Sequence, residues 1–208
     1  MTGYHPVMRF FMPVFLTLVA LAPLAGQPAL AQSDAGVAPV REEPTLEAPG
    51  DPLDAMYRNL ARTRDPARAA SFAKEIDDYL DRSPSATVSL LIEWSDAAEA
   101  DGRTAAALDF LSEAIALRPG EPAAYRKRAV IHYTHGDFNR AMDDIGAALS
   151  LEPRDFGGLG LMATILDRTG RPEAALAVWR RYLDFYPADR DVGAYVDNTE
   201  NDLAGRRL

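Results

Sequence analysis

The sequence predicts an all-α fold: an α-solenoid of stacked helix-turn-helix repeats, set behind an N-terminal targeting segment and a flexible tether. Two observations predict it. Gly102, Gly136 and Gly170 stand 34 residues apart, and the same interval separates Ala107, Ala141 and Ala175, and Pro119, Pro153 and Pro187. Large apolar residues keep that register at Leu111, Ile145 and Trp179, and again at Leu117, Leu151 and Phe185. A spacing held in several independent columns marks a repeat array. One helical pair cannot bury its own apolar face, so neighbouring units must stack.

Residues 1–31 read as a secretory signal peptide. They carry Arg9 and no acid, then an apolar run from Phe10 to Leu24, then Ala29-Leu30-Ala31 before Gln32. That order fits small-x-small cleavage. The run falls short of the roughly 20 apolar residues that span a bilayer, and Pro13 and Pro23 interrupt it, so no stable membrane span is expected after processing. Residues 32–52 read as a disordered linker, with Pro39, Pro44, Pro49 and Pro52 breaking any helix and no apolar periodicity to repay ordering.

Residues 53–84 read as a divergent first helical pair. Leu53, Met56 and Leu60, then Phe72, Ile76 and Leu80, have helical spacing, and Asp65-Pro66 marks the turn. An atypical terminal unit is expected to cap the stack. Residues 85–187 hold the three repeats. In each, a first helix ends at the glycine, which adopts positive φ without a Cβ clash. A second helix follows and ends at the proline, which lacks an N–H. Residues 188–208 read as a capping helix, with Val192, Tyr195, Val196 and Leu203 on the last repeat and Asp197, Glu200 and Asp202 facing water.

Composition narrows the function classes. The formal charge is -9 and there is no basic stripe, which argues against nucleic acid as a partner. With no cysteine, no disulfide, zinc-thiolate or thiol nucleophile is possible. His132 and His135 lie three apart near Asp137 but lack a motif for a third ligand, so no metal is expected. Gly157-Gly158-Leu159-Gly160 lacks the strand and lysine of a phosphate loop. Those glycines either bare the inner face of a helix or admit a close neighbour. No catalytic motif stands out, so neither an enzyme nor a cofactor is expected. Asp143 and Asp144 read as a solvated face.

These columns resemble the tetratricopeptide repeat family over about residues 86–187. The family's small residue of the first helix is matched by Ser95, Ala129 and Ala163, and its bulky residue near the helix start by Leu91, Tyr125 and Leu159. Arg128 stands in a column usually apolar, and Tyr182 where alanine is usual. The resemblance implies that the first helices line a groove holding a segment of a partner protein. The groove would present Ile92, Asp96 and Glu99, then Arg126, Val130 and Tyr133, then Gly160, Thr164 and Asp167. A subgroup clamps a C-terminal carboxylate with Lys, Arg and Asn. Ile92, Asp96, Lys127, Gly157 and Leu161 fill those columns here, so the clamp is absent.

The expected function is that of a periplasmic or secreted scaffold or adaptor. The alternative is an accessory or regulatory subunit of a cell-envelope enzyme complex. Export is directly testable: intact-mass or N-terminal analysis of protein from the envelope fraction should find a chain beginning at Gln32. Unprocessed protein confined to the soluble cytoplasmic fraction would reject it.

Overall fold

The computed structural model describes residues 51–205. The signal-peptide reading and most of the tether therefore lie outside the described residues. Among the described residues all regular structure is helical. The order is α1 (Pro52–Arg62), α2 (Pro66–Leu80), α3 (Ala86–Ala100), α4 (Thr104–Leu117), α5 (Pro122–Thr134), α6 (Phe138–Leu151), α7 (Phe156–Arg168), α8 (Pro172–Phe185) and α9 (Arg190–Gly205).

The pairs α3–α4, α5–α6 and α7–α8 are the repeats, and the same local chemistry builds each. Gly102, Gly136 and Gly170 have φ of 73°, 78° and 74°. At each, the glycine N–H donates to the carbonyl three residues back, and the next N–H donates to the carbonyl five back, as in Arg103 to Ala98 at 2.8 Å. This pairing satisfies carbonyls that the helix end leaves open, and it requires the left-handed φ that glycine supplies. Ser95, Ala129 and Ala163 of the first helices are fully buried, as are Ala107, Ala141 and Ala175 of the second. Small residues at both sides of a crossing bring the helix axes close. Leu111 and Ile145 fill the space beside them.

Arg128 explains its own departure from an apolar column. Its guanidinium donates to both carboxylate oxygens of Asp144, at 2.8 and 2.6 Å, and to Ser112 Oγ at 3.0 Å. It thus ties α5 to α4 and α6. Asp144 is buried, at 5% exposure, which corrects its reading as a solvated face; Asp143 is exposed. His132 lies beside this pair, and burial lowers its pKa despite Asp144.

The N-terminal pair departs from the sequence reading in two ways. Pro52 opens α1 instead of breaking it: the Asp51 carboxylate accepts from Leu53 N–H at 2.9 Å. Proline fits the first helical turn, where its missing N–H has no partner to lose. Asp65 and Pro66 open α2 in the same way. The pair also does not cap the stack ahead of α3. Leu53, Tyr57 and Leu60 of α1, and Ala73, Ile76 and Leu80 of α2, share one buried cluster with Ala129, Ile145, Phe156, Leu159 and Tyr182. Val88, Leu91 and Ile92 of α3 belong to another cluster, with Ala107 and Leu111. The hairpin therefore seats on the second and third repeats.

The register exposes the consequence. Leu90 and Trp94 are 42% and 48% exposed, while their equivalents 34 residues on, Ala124 and Arg128, are covered by the preceding repeat. At the other end, α9 lays Val196 and Leu203 on Leu176. Its Glu200 accepts from Arg180 at 2.7 Å.

Leu111→Ala and Ile145→Ala should each cost about 2–5 kcal/mol, because each leaves a cavity where two helices cross. Asp143→Ala should change stability by less than about 0.5 kcal/mol. Chemical denaturation of the three variants checks the register; equal midpoints would refute it.

Candidate functional site

The groove columns come from α3, α5 and α7, and α2 packs over those of α5 and α7. Arg126 is the centre. Its side chain is 11% exposed and meets three carboxylates: Asp155 at 2.5 Å, Asp77 at 2.9 Å and Asp81 at 3.1 Å. Asp77 on α2 and Asp81, the residue that caps its C-terminus, stand one turn apart, so both face the same guanidinium. Asp155 caps α7, accepting from Gly158 N–H at 2.9 Å. Three negative charges thus surround one positive charge. Burial raises the pKa of Asp155 and of Asp77, in each case against Arg126. Burial opposes the charge on Arg126 as well, but the three carboxylates hold it above its ordinary value. A carboxylate whose pKa is raised by folding destabilises the fold while it is ionised, and the penalty is relieved as pH falls through the raised value.

The glycine run resolves in favour of close approach at two of its three positions. A Cβ on Gly157 would lie 2.9 Å from Asp77 Oδ1 and 3.3 Å from the Arg126 guanidinium. One on Gly158 would lie 2.5 Å from Asp155 Oδ2 and 3.0 Å from Ile145 Cδ1. Gly160 is roomier, with Trp179 and Tyr182 at 3.6 Å. Sequence reasoning missed Asp77, Asp81 and Asp155. The acid pair spaced i, i+4 on α2 was visible, but its target lies 45 residues or more along the chain.

The other groove residues divide by environment. Ile92 is 5% exposed within the core, so it offers nothing to a partner; an apolar side chain at the edge of the inner face packs against its neighbours. Asp167 accepts from Trp179 Nε1 at 3.1 Å and from Tyr195 Oη at 2.7 Å, which commits it to holding α8 and α9. Tyr133 is half-buried, with Phe138 beside it and the Arg168 guanidinium 5.1 Å above its ring. The Thr164 hydroxyl donates to the Gly160 carbonyl at 2.8 Å. The open part lies between α3 and α5, where Asp96, Glu99, Lys127 and Val130 line a cavity of about 300 Å³. Lys127 meets Asp96 at 3.1 Å, and Val130 is 49% exposed. No helix among the described residues is long and apolar enough to cross a membrane.

The chain is 41% identical over 168 residues to a TPR repeat-containing protein of Rhizobium etli, covering 81% of this chain and 82% of that one. It is 30% identical over 78 residues to the small glutamine-rich tetratricopeptide repeat-containing protein 2 of Saccharomyces cerevisiae, covering 38% of this chain and 22% of that protein. Among solved structures it is similar to the first TPR of Spaghetti (RPAP3) bound to the HSP90 peptide SRMEEVD. The TM-score is 0.52 and the identity 18%, over 57% of this chain and 94% of the other. It is also similar to MamA AMB-1, with a TM-score of 0.51 and 13% identity over 73% and 80% of the two chains. At those identities the likeness is one of fold. No family model matches the chain.

The glycines make a prediction whose sign separates packing from propensity. Gly146 in α6 has nothing within 4 Å of an added Cβ, so Gly146→Ala should stabilise by up to about 1 kcal/mol through helix propensity. Gly158→Ala should destabilise by roughly 1–3 kcal/mol, because the Asp155 carboxylate and Ile145 cannot both give way. Opposite shifts in denaturation midpoint are expected. Stabilisation by both would remove the close-approach account.

Proposed function

The chain belongs to the tetratricopeptide repeat family, and from that premise we propose that it is an exported scaffold that holds a segment of a partner protein in the groove between α3 and α5. A fold of this family is that of a protein-interaction scaffold. The observation that carries the groove reading is the surface around Val130. An apolar side chain stands half exposed between the Lys127–Asp96 pair and the Arg126 cluster. A partner that covers it gains apolar burial and meets charges of both signs, which fix orientation and register. A preformed groove on packed helices also costs little conformational entropy to fill.

The cell envelope is the proposed location, supported by the signal-like order of residues 1–31. There the chain acts by holding and not by catalysis, since the sequence carries no catalytic motif. The yeast relative and the neighbour bound to SRMEEVD carry tetratricopeptide repeats too, but their partners are their own.

Capture from an envelope extract by the mature chain tests the groove. Val130→Asp and Lys127→Glu should each weaken capture of the recovered partner by roughly 1–2 kcal/mol or more. Asp143→Ala, on an exposed site of α6, is the control. Unchanged affinity in both groove variants, with helicity intact by circular dichroism, would move binding off this face.

A further inference from the structure

The hairpin α1–α2 is seated on the second and third repeats, beside the α3–α5 groove, and it leaves space unfilled there. A cavity of about 450 Å³ remains between α2 and the α7–α8 pair, reached by Ala73, Asp77, Gly157, Gly160 and Tyr182. Another of about 300 Å³ lies beside Arg126, with Asp77, Asp81, Val130 and Leu161 around it. Two buried polar atoms at this seat, Tyr57 Oη and Asp155 Oδ2, have no hydrogen-bond partner. Buried polar groups are normally paired, so each weakens the seat. The three carboxylates on one guanidinium add mutual repulsion that a single positive charge does not cancel.

The contact is nevertheless specific. Along α2, Ala69, Ala73, Ile76 and Leu80 form one apolar stripe, buried in the cluster of Ala129, Ile145, Phe156 and Leu159. Beside the stripe, Asp77 and Asp81 meet Arg126. Gly157 leaves the space that the Asp77 carboxylate needs. The groove is thus shaped for a helix with an apolar stripe flanked by two acids one turn apart. Ser95, Ala129 and Ala163 are fully buried small residues of the first helices, and of the repeats' core it is Ala129, Ile145, Phe156, Leu159 and Tyr182 that the hairpin also covers. The hairpin joins α3 through residues 81–85.

We propose that the Arg126 face is a docking site for an acidic amphipathic helix of a partner protein, and that α2 is its built-in occupant, displaced when that helix binds. The inference rests on the groove reading above and adds the partner's chemistry and the latch. A partner helix with a better apolar fill gains the volume that α2 leaves empty. Opening uncovers Ala129, Ile145, Phe156 and Leu159, which the incoming helix covers again in the place of α2, so the exchange of one helix for the other is a local event.

Hydrogen exchange on the unmodified full chain tests the latch. The amides of α1 and α2 should exchange together, at least about tenfold faster than those of α5 and α7. Exchange in α2 as slow as in α5 would overturn it. The docking chemistry is tested with a labelled peptide of residues 64–82 added to the full chain. A full chain with Asp77→Lys and Asp81→Lys should bind this peptide at least about tenfold more tightly than the unmodified chain does. Its own α2 should exchange faster. The same peptide with both acids changed to lysine should not bind, and adding Arg126→Ala to the chain should abolish binding of the original peptide. A folded variant whose α2 opens but takes up no peptide would overturn the acidic-helix assignment. Dimers formed by exchange of α1–α2 between two chains would overturn the partner assignment in favour of a second copy. In either case sensitivity of envelope-partner capture to Val130→Asp would leave the groove reading standing. Loss of that sensitivity, with peptide binding intact, would remove the α3–α5 groove reading alone.

Discussion

A buried guanidinium must find anions, and Arg126 finds them in places that decide the architecture. A charge at 11% exposure carries a desolvation cost that only close carboxylates offset. One of them, Asp155, lies in the turn before α7, so Arg126 ties the second repeat to the third. The other two lie on α2 and at its C-terminal cap. Had α2 stacked ahead of α3, as a terminal unit does in a regular array, Arg126 would have faced an open groove with Asp155 as its main counterion. The electrostatic demand and the apolar stripe of α2 act together to bring the hairpin across the repeats. A second cation marks the same edge: Arg154 donates to Asp54 and Glu152 and covers the ring of Tyr57 at 4.7 Å.

The arginines at 126 and 128 of α5 serve different ends. Arg128 meets one carboxylate with two hydrogen bonds and spends a third on Ser112, so donors and acceptors are matched. Such a bidentate pair is geometrically demanding, and it fixes how α5 sits on α4 and α6. Arg126 distributes its donors over three carboxylates, two of which experience raised pKa values through burial. The first arrangement is a joint between repeats. The second holds more negative charge than it neutralises, and a joint with surplus charge opens more readily than a matched one.

The repeats were legible in the sequence because their determinants are local. Gly102, Gly136 and Gly170 answer a backbone demand, and the alanines at 107, 141 and 175 answer a crossing distance. Both recur at a fixed interval and can be read without coordinates. The helical character of residues 53–80 was legible for the same reason, although Pro52 was misread because a proline ends one helix and begins another equally well. The seat of that hairpin was not legible. It depends on which face of α2 meets Arg126, and nothing near Asp77 in sequence specifies a residue 49 positions on. Asp144 shows the same limit: next to Asp143 it looks solvated, and only its approach to Arg128 buries it. Ile92 and Asp167 were placed in the groove by column; packing removes Ile92 from its surface, and Asp167 stays half-buried with its carboxylate hydrogen-bonded to α8 and α9.

The same seat accounts for what is exposed. Moving the hairpin onto α5 and α7 leaves Leu90 and Trp94 without the cover that Ala124 and Gly158 receive from the repeat before them. Trp94 turns instead toward Phe110, with ring centroids 5.6 Å apart, which buries part of both within the first repeat. The α3–α4 pair keeps its own core of Leu91, Ala107 and Leu111 and needs no preceding unit. A first repeat that stands without a cap frees the N-terminal hairpin from a structural duty at that end. Its acids and apolar stripe are then left to act on the groove, and that is where the chain places them.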